Sequence, residues 1–203
     1  MKYNPQHHHR RSIRLPGYDY TQPGAYFVTL VTHERQHLFG EIVVGEMHLN
    51  PWGEVAYQEW FQTAVLRPYV VLRDDEWVVM PNHMHGIIWI VDNDCRGAAP
   101  HPAPCKGAAA PRPSPRPSET SPINVVPGSL GAIVRAYKSA VAKRINALRN
   151  TPGAPVWQRN YYEHIIRDDG ELERIRQYIL DNPARWAEDR ENLHVVTVAQ
   201  GRR

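Results

Sequence analysis

Apolar runs along the chain predict a set of short strands. Residues 25–31 are β-branched and aromatic, which is typical of a buried strand. Residues 83–91 (HMHGIIWIV) give the strongest strand signal in the chain. Weaker signals predict a short strand at 41–44 and extended segments at three further places, namely 69–72, 77–80 and 156–166.

Apolar residues at helical spacing predict three helices between and after these strands. The first begins at Asn50-Pro51 and ends before Pro68, because a helix tolerates proline only in its first turn. The second covers 129–148, and the third covers 171–182, with Asp168 or Asp169 as its cap and Pro183 as its end. Helices that alternate with strands predict an α+β domain in which helices cover a small antiparallel sheet.

A proline-rich segment interrupts this domain at 94–127. It holds nine of the 18 prolines and almost no large apolar side chain, so it cannot bury enough surface to offset the entropy of ordering. We therefore expect a disordered insertion within one domain. The predicted organisation is a basic N-terminal arm (1–24), two half-domains (25–93 and 128–190) on either side of the insertion, and a C-terminal tail (191–203).

Composition narrows the setting of the protein. The net charge of +3 is a weak argument for an anionic partner, although positive charge is concentrated at both termini and in the helix at 129–148. Cys95 and Cys105 both lie in the insertion and have no CxxC spacing, which favours free thiols in a reducing cytosol. No apolar run reaches the roughly 18 residues that span a bilayer. We expect a cytoplasmic, nucleoid-associated protein with no membrane segment.

His83 and His85 are two residues apart on the strand predicted at 83–91. Successive side chains on a strand point to opposite faces, so both imidazoles project from the same face. That arrangement offers two nitrogen ligands to one metal ion. It is equally the spacing of strand histidines that only pair with their neighbours, and the chain contains 11 histidines. The pair alone leaves both interpretations open.

Tyr178 and Asn182 are four residues apart on the last predicted helix and therefore adjacent on one helical face. This tyrosine is either a half-buried core residue or a nucleophile beside an amide oxygen that can join the coordination shell of a metal. Tyr137 is a rival, but it falls on an apolar stripe and is better explained as core. Tyr161 and Tyr162 are also rivals, with His164 close behind them in the sequence.

The two pairs predict more together than either does alone. A phenol has a pKa near 10 and is a poor nucleophile at neutral pH, whereas a divalent cation can polarise a scissile phosphate. The helix carrying Tyr178 would have to lie against the histidine face of the sheet. A separation of more than about 10 Å would require a conformational change or a partner subunit.

Four segments resemble REP-associated tyrosine transposases, which are domesticated relatives of the single-tyrosine insertion-sequence transposases. They are YNPQHHHRRSIRLPGYDYTQPGAYFVTLVTHERQHLFG from Tyr3, WVVMPNHMHGIIWI from Trp77, LGAIVRAYKSAVAKRIN from Leu130, and WQRNYYEHIIRDDGELERIRQYILDNPARW from Trp157. The combination of PNHMHG with the last block carries the resemblance, which covers nearly the whole chain except the proline-rich insertion.

The resemblance implies a ferredoxin-like HUH nuclease fold. It also implies recognition of DNA hairpins, cleavage and rejoining of single-stranded DNA through a transient 5′-phosphotyrosine link, and use of Mg²⁺ or Mn²⁺ rather than zinc. His83 and His85 match the metal ligands of that family, and Tyr178 matches its nucleophile. Asn182 stands where insertion-sequence members carry glutamine, so a third metal ligand at Asn182 is one methylene shorter. The insertion departs from the compact form of the family.

The expected partner is single-stranded, hairpin-forming DNA, bound by a monomer or a homodimer. Cations bind phosphates, and arginines also read guanine edges. The candidate DNA contacts are Arg10, Arg11, Arg14, Arg135, Lys138, Lys143 and Arg144, although a solvated basic face explains the same pattern. The leading hypothesis is an active transposase. Its alternatives are a hairpin-binding protein that no longer cuts and a metal-dependent hydrolase unrelated to DNA.

Overall fold

A computed structural model describes residues 15, 17–92, 125–189 and 191–192. The insertion predicted at 94–127 lies outside the described residues up to residue 124, and so do Arg10, Arg11 and Arg14. The first half contains β1 (Gly24–Val31), β2 (Gly40–Val43), β3 (Glu46–Leu49), α1 (Pro51–Leu66), β4 (Val70–Val71), β5 (Trp77–Val79) and β6 (His83–Ile90). The second half contains α2 (Leu130–Leu148), β7 (Tyr162–Ile166) and α3 (Asp169–Asp181).

The main sheet is antiparallel and has the strand order β4-β6-β1-β7, with β5 pairing along the same strand β6. The two short strands β4 and β5 together take the place of one edge strand. The chain thus runs through a β-α-β-β-α-β sequence with its first and third strands in the middle, which is the ferredoxin-like arrangement. The predicted α+β class, with helices covering an antiparallel sheet, is confirmed.

A separate hairpin of β2 and β3 precedes α1. The sequence predicted only one short strand in this region. The turn places Val44 and Gly45 at positive φ (53° and 80°), the backbone conformation of tight hairpin turns. Both strands are only partly buried, so their apolar alternation was too weak to reveal the second strand.

The three helices are divided between the two faces of the main sheet. Helices α1 and α2 cover the face that carries Val28, Met84 and Ile88, whereas α3 covers the face that carries Phe27 and Ile87. Side-chain oxygens cap each helix at its first turn: Asn50 caps α1, Ser129 caps α2 and Asp168 caps α3. In the described part of the chain, none of these helices combines the length and apolarity needed to cross a membrane.

A buried carboxylate holds α3 against the sheet. Glu76 is fully buried and accepts hydrogen bonds from the Trp89 indole and from Arg73, at 3.3 Å. Arg176 on α3 donates to the same carboxylate from Nε, at 3.0 Å. A buried charge is stable only when it is paired in this way, so this network fixes the position of α3 two residues before Tyr178.

Gly86 allows α1 to approach the sheet directly beside His85. A Cβ at this position would lie 2.5 Å from Cζ2 of the Trp60 indole, which is itself almost fully buried. The absence of a side chain at Gly86 therefore lets Trp60, the largest core residue of α1, pack directly against β6. The same strand carries the two histidines on its other face.

We predict that Gly86→Ala lowers the free energy of unfolding by roughly 1–3 kcal/mol, because the added methyl group overpacks the core against Trp60. Thermal and urea denaturation would measure the loss. Gly170→Ala, in the first turn of α3, is the matched control. A Cβ at this position would have the end of the Asp168 side chain as its nearest neighbour, at 3.3 Å. Equal stability of the two variants would contradict this account of Gly86.

Candidate metal and tyrosine site

The structure brings His83, His85 and Tyr178 together on the α3 face of the main sheet. The two imidazole Nε2 atoms lie 3.1 Å apart, and the Tyr178 hydroxyl lies 3.2 Å from Nε2 of His85. Both imidazoles are buried, whereas 45% of the Tyr178 side chain is exposed. The helix and the histidine face therefore meet within one chain, and the phenol is open to solvent.

A hydrogen bond to Asn82 fixes the ring of His83. The Asn82 amide donates from Nδ2 to the backbone carbonyls of Glu191 (2.6 Å) and Arg35 (3.3 Å), which turns its Oδ1 toward Nδ1 of His83 at 2.8 Å. An amide oxygen only accepts, so the proton of His83 resides on Nδ1. The Nε2 lone pair is thereby directed into the site, as metal-ligating histidines require.

Thr29 on β1 performs the corresponding role for His85. Its Oγ1 lies 2.8 Å from Nδ1 of His85, because β1 pairs with β6 in a register that sets these two residues opposite each other. A hydroxyl either donates or accepts, so Thr29 is compatible with both tautomers of His85. The tautomer that presents an Nε2 lone pair to a metal is accessible without any movement of the strands.

Two candidate oxygen ligands lie beside the histidines. Oδ1 of Asn182 is buried and has no hydrogen-bond partner among the described residues. The Asp189 carboxylate forms a cluster with His83 and His85 in which the potential ligand atoms lie within 4.8 Å of one another. Two imidazole nitrogens at 3.1 Å fit one ion with bonds of roughly 2.0–2.2 Å, and the unsatisfied buried oxygen of Asn182 is a candidate for a further ligand. This set of donors is able to hold a divalent cation.

Burial keeps both imidazoles neutral. It lowers the pKa of His83 to about 4, against the smaller opposing effects of Glu191 and Asn182. Burial, with the neighbouring His83, also lowers the pKa of His85 well below its usual value. Because both pKa values are lowered, protons do not occupy the second nitrogen of either ring at neutral pH. Neutral imidazoles are the form that binds metals.

Tyr178 is not activated by its surroundings alone. Partial burial, followed by the negative charge of Asp189, raises the pKa of the phenol above its ordinary value, and Asn182 opposes this shift. The hydroxyl is therefore protonated at neutral pH. Any reaction at this oxygen needs positive charge in the site to offset the negative charge that develops.

The rival tyrosines occupy different places. Tyr137 is buried on the opposite face of the sheet, where its hydroxyl donates to the carbonyl of Ala56. Tyr162 lies on β7, 45% exposed, with its ring edge-on to Phe27. Tyr161 packs against the core on the α1 and α2 side. Among these tyrosines, only Tyr178 has a hydrogen bond to His85 in the described part of the chain.

Among the described residues, four of the cations predicted to contact DNA lie on α2, on the other side of the sheet from this site. Arg135 and Lys143 are exposed there. Lys138 donates from Nζ to backbone carbonyls at 158 and 160, and Arg144 pairs with Glu59 at 2.7 Å. A role for these four residues in DNA binding stays a prediction, and the sheet separates them from Tyr178.

Sequence patterns did not identify Asp189, Thr29 or Asn82 as part of the site. Asp189 is a single acidic residue in a polar stretch, and it reaches His83 only because the chain turns back after α3. Thr29 is an ordinary strand residue whose partner is set by the register of β1 and β6. Asn82 directly precedes the first histidine, but its role depends on carbonyls 47 and 109 residues away.

We predict that acid destabilises the metal-free protein in a defined window. The folded-state pKa of His83 is about 4 and its ordinary value is 6.5. Between pH 6.5 and about 4, His83 is therefore protonated in the unfolded chain but neutral in the folded chain. The free energy of unfolding falls as the pH is lowered through this window, and the loss is complete below about pH 4. The loss is on the order of 3 kcal/mol.

Urea denaturation between pH 8 and 4 would measure this loss. His83→Gln should make the profile shallower in the acid window, and His48→Gln, at an exposed position on β3, should leave it as in the wild type. A wild-type profile that is flat in this window would contradict the assignment.

No protein-family model matches the chain. The REP-associated tyrosine transposase bound to a REP hairpin is similar in structure, with a TM-score of 0.52 and 17% identity over 87% of this chain and 74% of that chain. A putative transposase from Deinococcus radiodurans R1 has a TM-score of 0.38 and 16% identity over 84% of this chain and 97% of that chain. The first of these likenesses shows a shared fold.

A closer likeness in sequence is to an uncharacterized protein of Haemophilus influenzae. It is 40% identical over 188 residues, which are 93% of this chain and 96% of that protein. Because this identity extends over nearly the whole length of both, the chain belongs to the same protein family as the Haemophilus influenzae protein.

Proposed function

We propose that this protein is a transposase-type nuclease that cleaves and rejoins single-stranded, hairpin-forming DNA through a covalent 5′-phosphotyrosine at Tyr178. The observation that carries the proposal is the contact of the Tyr178 hydroxyl with the buried histidine pair, 3.2 Å from His85. The fold shared with a REP-associated tyrosine transposase, which was solved bound to a REP hairpin, supports DNA as the substrate.

Cleavage uses the Tyr178 oxygen as the nucleophile on a DNA phosphate. The Tyr178 oxygen forms a bond to the phosphorus while the bond from phosphorus to the 3′ oxygen breaks. The phenol proton is released to water and the departing oxygen takes one up, so the products are a 5′-phosphotyrosine and a free 3′-hydroxyl. Attack of a 3′-hydroxyl on the phosphotyrosine reverses the step and rejoins DNA. Half exposure of Tyr178 gives a strand access to the oxygen.

His83 and His85 would hold Mg²⁺ or Mn²⁺, together with an oxygen from Asn182 or Asp189. When bound, the cation supplies positive charge that polarises the scissile phosphate and offsets the charge developing on it. Carboxylate and amide oxygens favour these harder ions, and the described residues place no thiolate in the site. Asn82 and Thr29 keep the two rings oriented.

The deciding experiment is to incubate the protein with single-stranded hairpin oligonucleotides and Mn²⁺ and to look for a protein–DNA adduct under denaturing conditions. We expect an adduct that disappears in Tyr178→Phe and is strongly reduced in His83→Ala. Tyr162→Phe serves as the control and should retain it. An adduct that persists in Tyr178→Phe would reassign the nucleophile. The lack of any adduct with wild-type protein would favour a hairpin-binding protein that does not cut.

A second prediction concerns the outer hydrogen bonds of the metal ligands. Thr29→Val keeps the shape of the side chain but removes the partner of His85 Nδ1, so Mn²⁺ should bind about 10–100-fold more weakly. Calorimetric titration of Mn²⁺ would measure the affinity. Thr63→Val is the matched control, because the Thr63 hydroxyl bonds only within its own helix, to the carbonyl of Glu59. Unchanged affinity in Thr29→Val would argue against His85 as a ligand.

A further inference from the structure

An open cavity of about 240 Å³ lies beside the tyrosine site, between α3 and the edge strand β7. Its lining comprises Phe27, Tyr162, His164, Glu171, Arg174 and Ile175. Neither the metal ligands nor the nucleophile belong to this lining. Its volume is suited to a small planar group, and its residues combine aromatic rings, an aliphatic side chain and a cation.

The cavity and the nucleophile share a wall. The ring of Phe27 stacks on His85, with centroids 5.4 Å apart and planes inclined by 21°. The same ring meets Tyr178 edge-on at 6.1 Å and Tyr162 edge-on at 6.2 Å. A group in the cavity would therefore lie directly next to the phosphate that Tyr178 attacks.

Helix α3 sets the distance between the cavity and the nucleophile. Arg174 is four residues before Tyr178, so it occupies the same flank of the helix about 6 Å along the axis. That separation is about one nucleotide step of a DNA strand. A strand whose phosphate lies at Tyr178 would bring its next phosphate toward Arg174.

The lining matches the chemistry of a nucleobase. The Tyr162 ring is 45% exposed at a position where Tyr162, His164 and Phe27 share one face of the sheet. Unpaired bases stack on such rings without regard to their sequence. Glu171 Oε1 lies 2.6 Å from Nε2 of His164, and Oε2 accepts from the backbone N–H of Arg167 at 2.8 Å. Each carboxylate oxygen has a further lone pair that is able to accept from the amino edge of a base.

We propose that this cavity binds the base of the nucleotide adjoining the scissile phosphate, stacked on Tyr162, with Arg174 on the neighbouring backbone phosphate. The position relative to the scissile phosphate rests on the proposed function. The binding of an unpaired base beside Tyr162 does not, because it depends only on the cavity.

Two labelled strands of about 12 nucleotides test this proposal, one of oligo(dT) and one of abasic sugar-phosphate of equal length and charge. Fluorescence anisotropy would measure the affinity of both for the full chain. We expect wild-type protein to bind the strand with bases about tenfold more tightly or better. Tyr162→Ala should lose most of this preference. Tyr57→Ala is the matched control, since Tyr57 is 42% exposed on α1 across the sheet, and it should keep the preference.

Arg174→Gln separates the phosphate contact from the base contact. It should weaken the binding of both strands by the same factor. The slope of log affinity against log salt should become shallower by about the amount of one phosphate contact. A photoreactive 5-iododeoxyuridine strand gives a measurement on wild-type protein, which does not depend on how any variant folds. Its crosslink should map to the peptide that contains Tyr162.

The proposal is overturned if wild-type protein binds both strands equally, if Tyr162→Ala keeps the base preference, or if the crosslink maps to the α1 and α2 side. Failure of the proposed function has a different signature. A base preference that depends on Tyr162 without any Tyr178 adduct would reject strand transfer and leave the cavity a base site. A Tyr178 adduct, together with a base preference that is unchanged in Tyr162→Ala, would support strand transfer and reject the cavity as a base site.

Discussion

The alternation of side chains along β6 is the constraint on which the rest of the molecule depends. All eight residues of this strand are buried, with helices α1 and α2 on one face and α3 on the other. His83 and His85 face α3, while Met84 and Gly86 face the other helices. A slip of one residue would exchange the two sets, burying imidazoles under Trp60 and leaving a methionine beside Tyr178. The site and the core are thus specified by the same register.

The neighbours of β6 give a pair of histidines the geometry that a metal site needs. Antiparallel pairing with β1 sets Thr29 against His85, and the loop before β6 sets Asn82 against His83. These contacts orient the rings, while burial removes the competing proton from both of them. Together they leave the two Nε2 atoms 3.1 Å apart, with oxygens from Asn182 and Asp189 nearby.

Placement of the tyrosine depends on a second buried group. Glu76 binds Arg176 on α3 and Trp89 on β6, so the helix is held to the same strand that carries the histidines. This link crosses 100 residues of sequence. It explains why a helix with few fully buried residues still presents its phenol at a fixed distance from His85.

The sequence by itself determined most of the elements, the division into an α+β domain and the pairing of candidates at 83, 85 and 178, because period-two and helical patterns depend on neighbours along the chain. It left the nucleophile open among Tyr137, Tyr161, Tyr162 and Tyr178, and it missed β3. Only the tertiary structure decided which tyrosine lies on the histidine pair and added Asp189, Thr29 and Asn82. The physical reason is that distance between remote residues follows from strand register and helix packing, which no local pattern records.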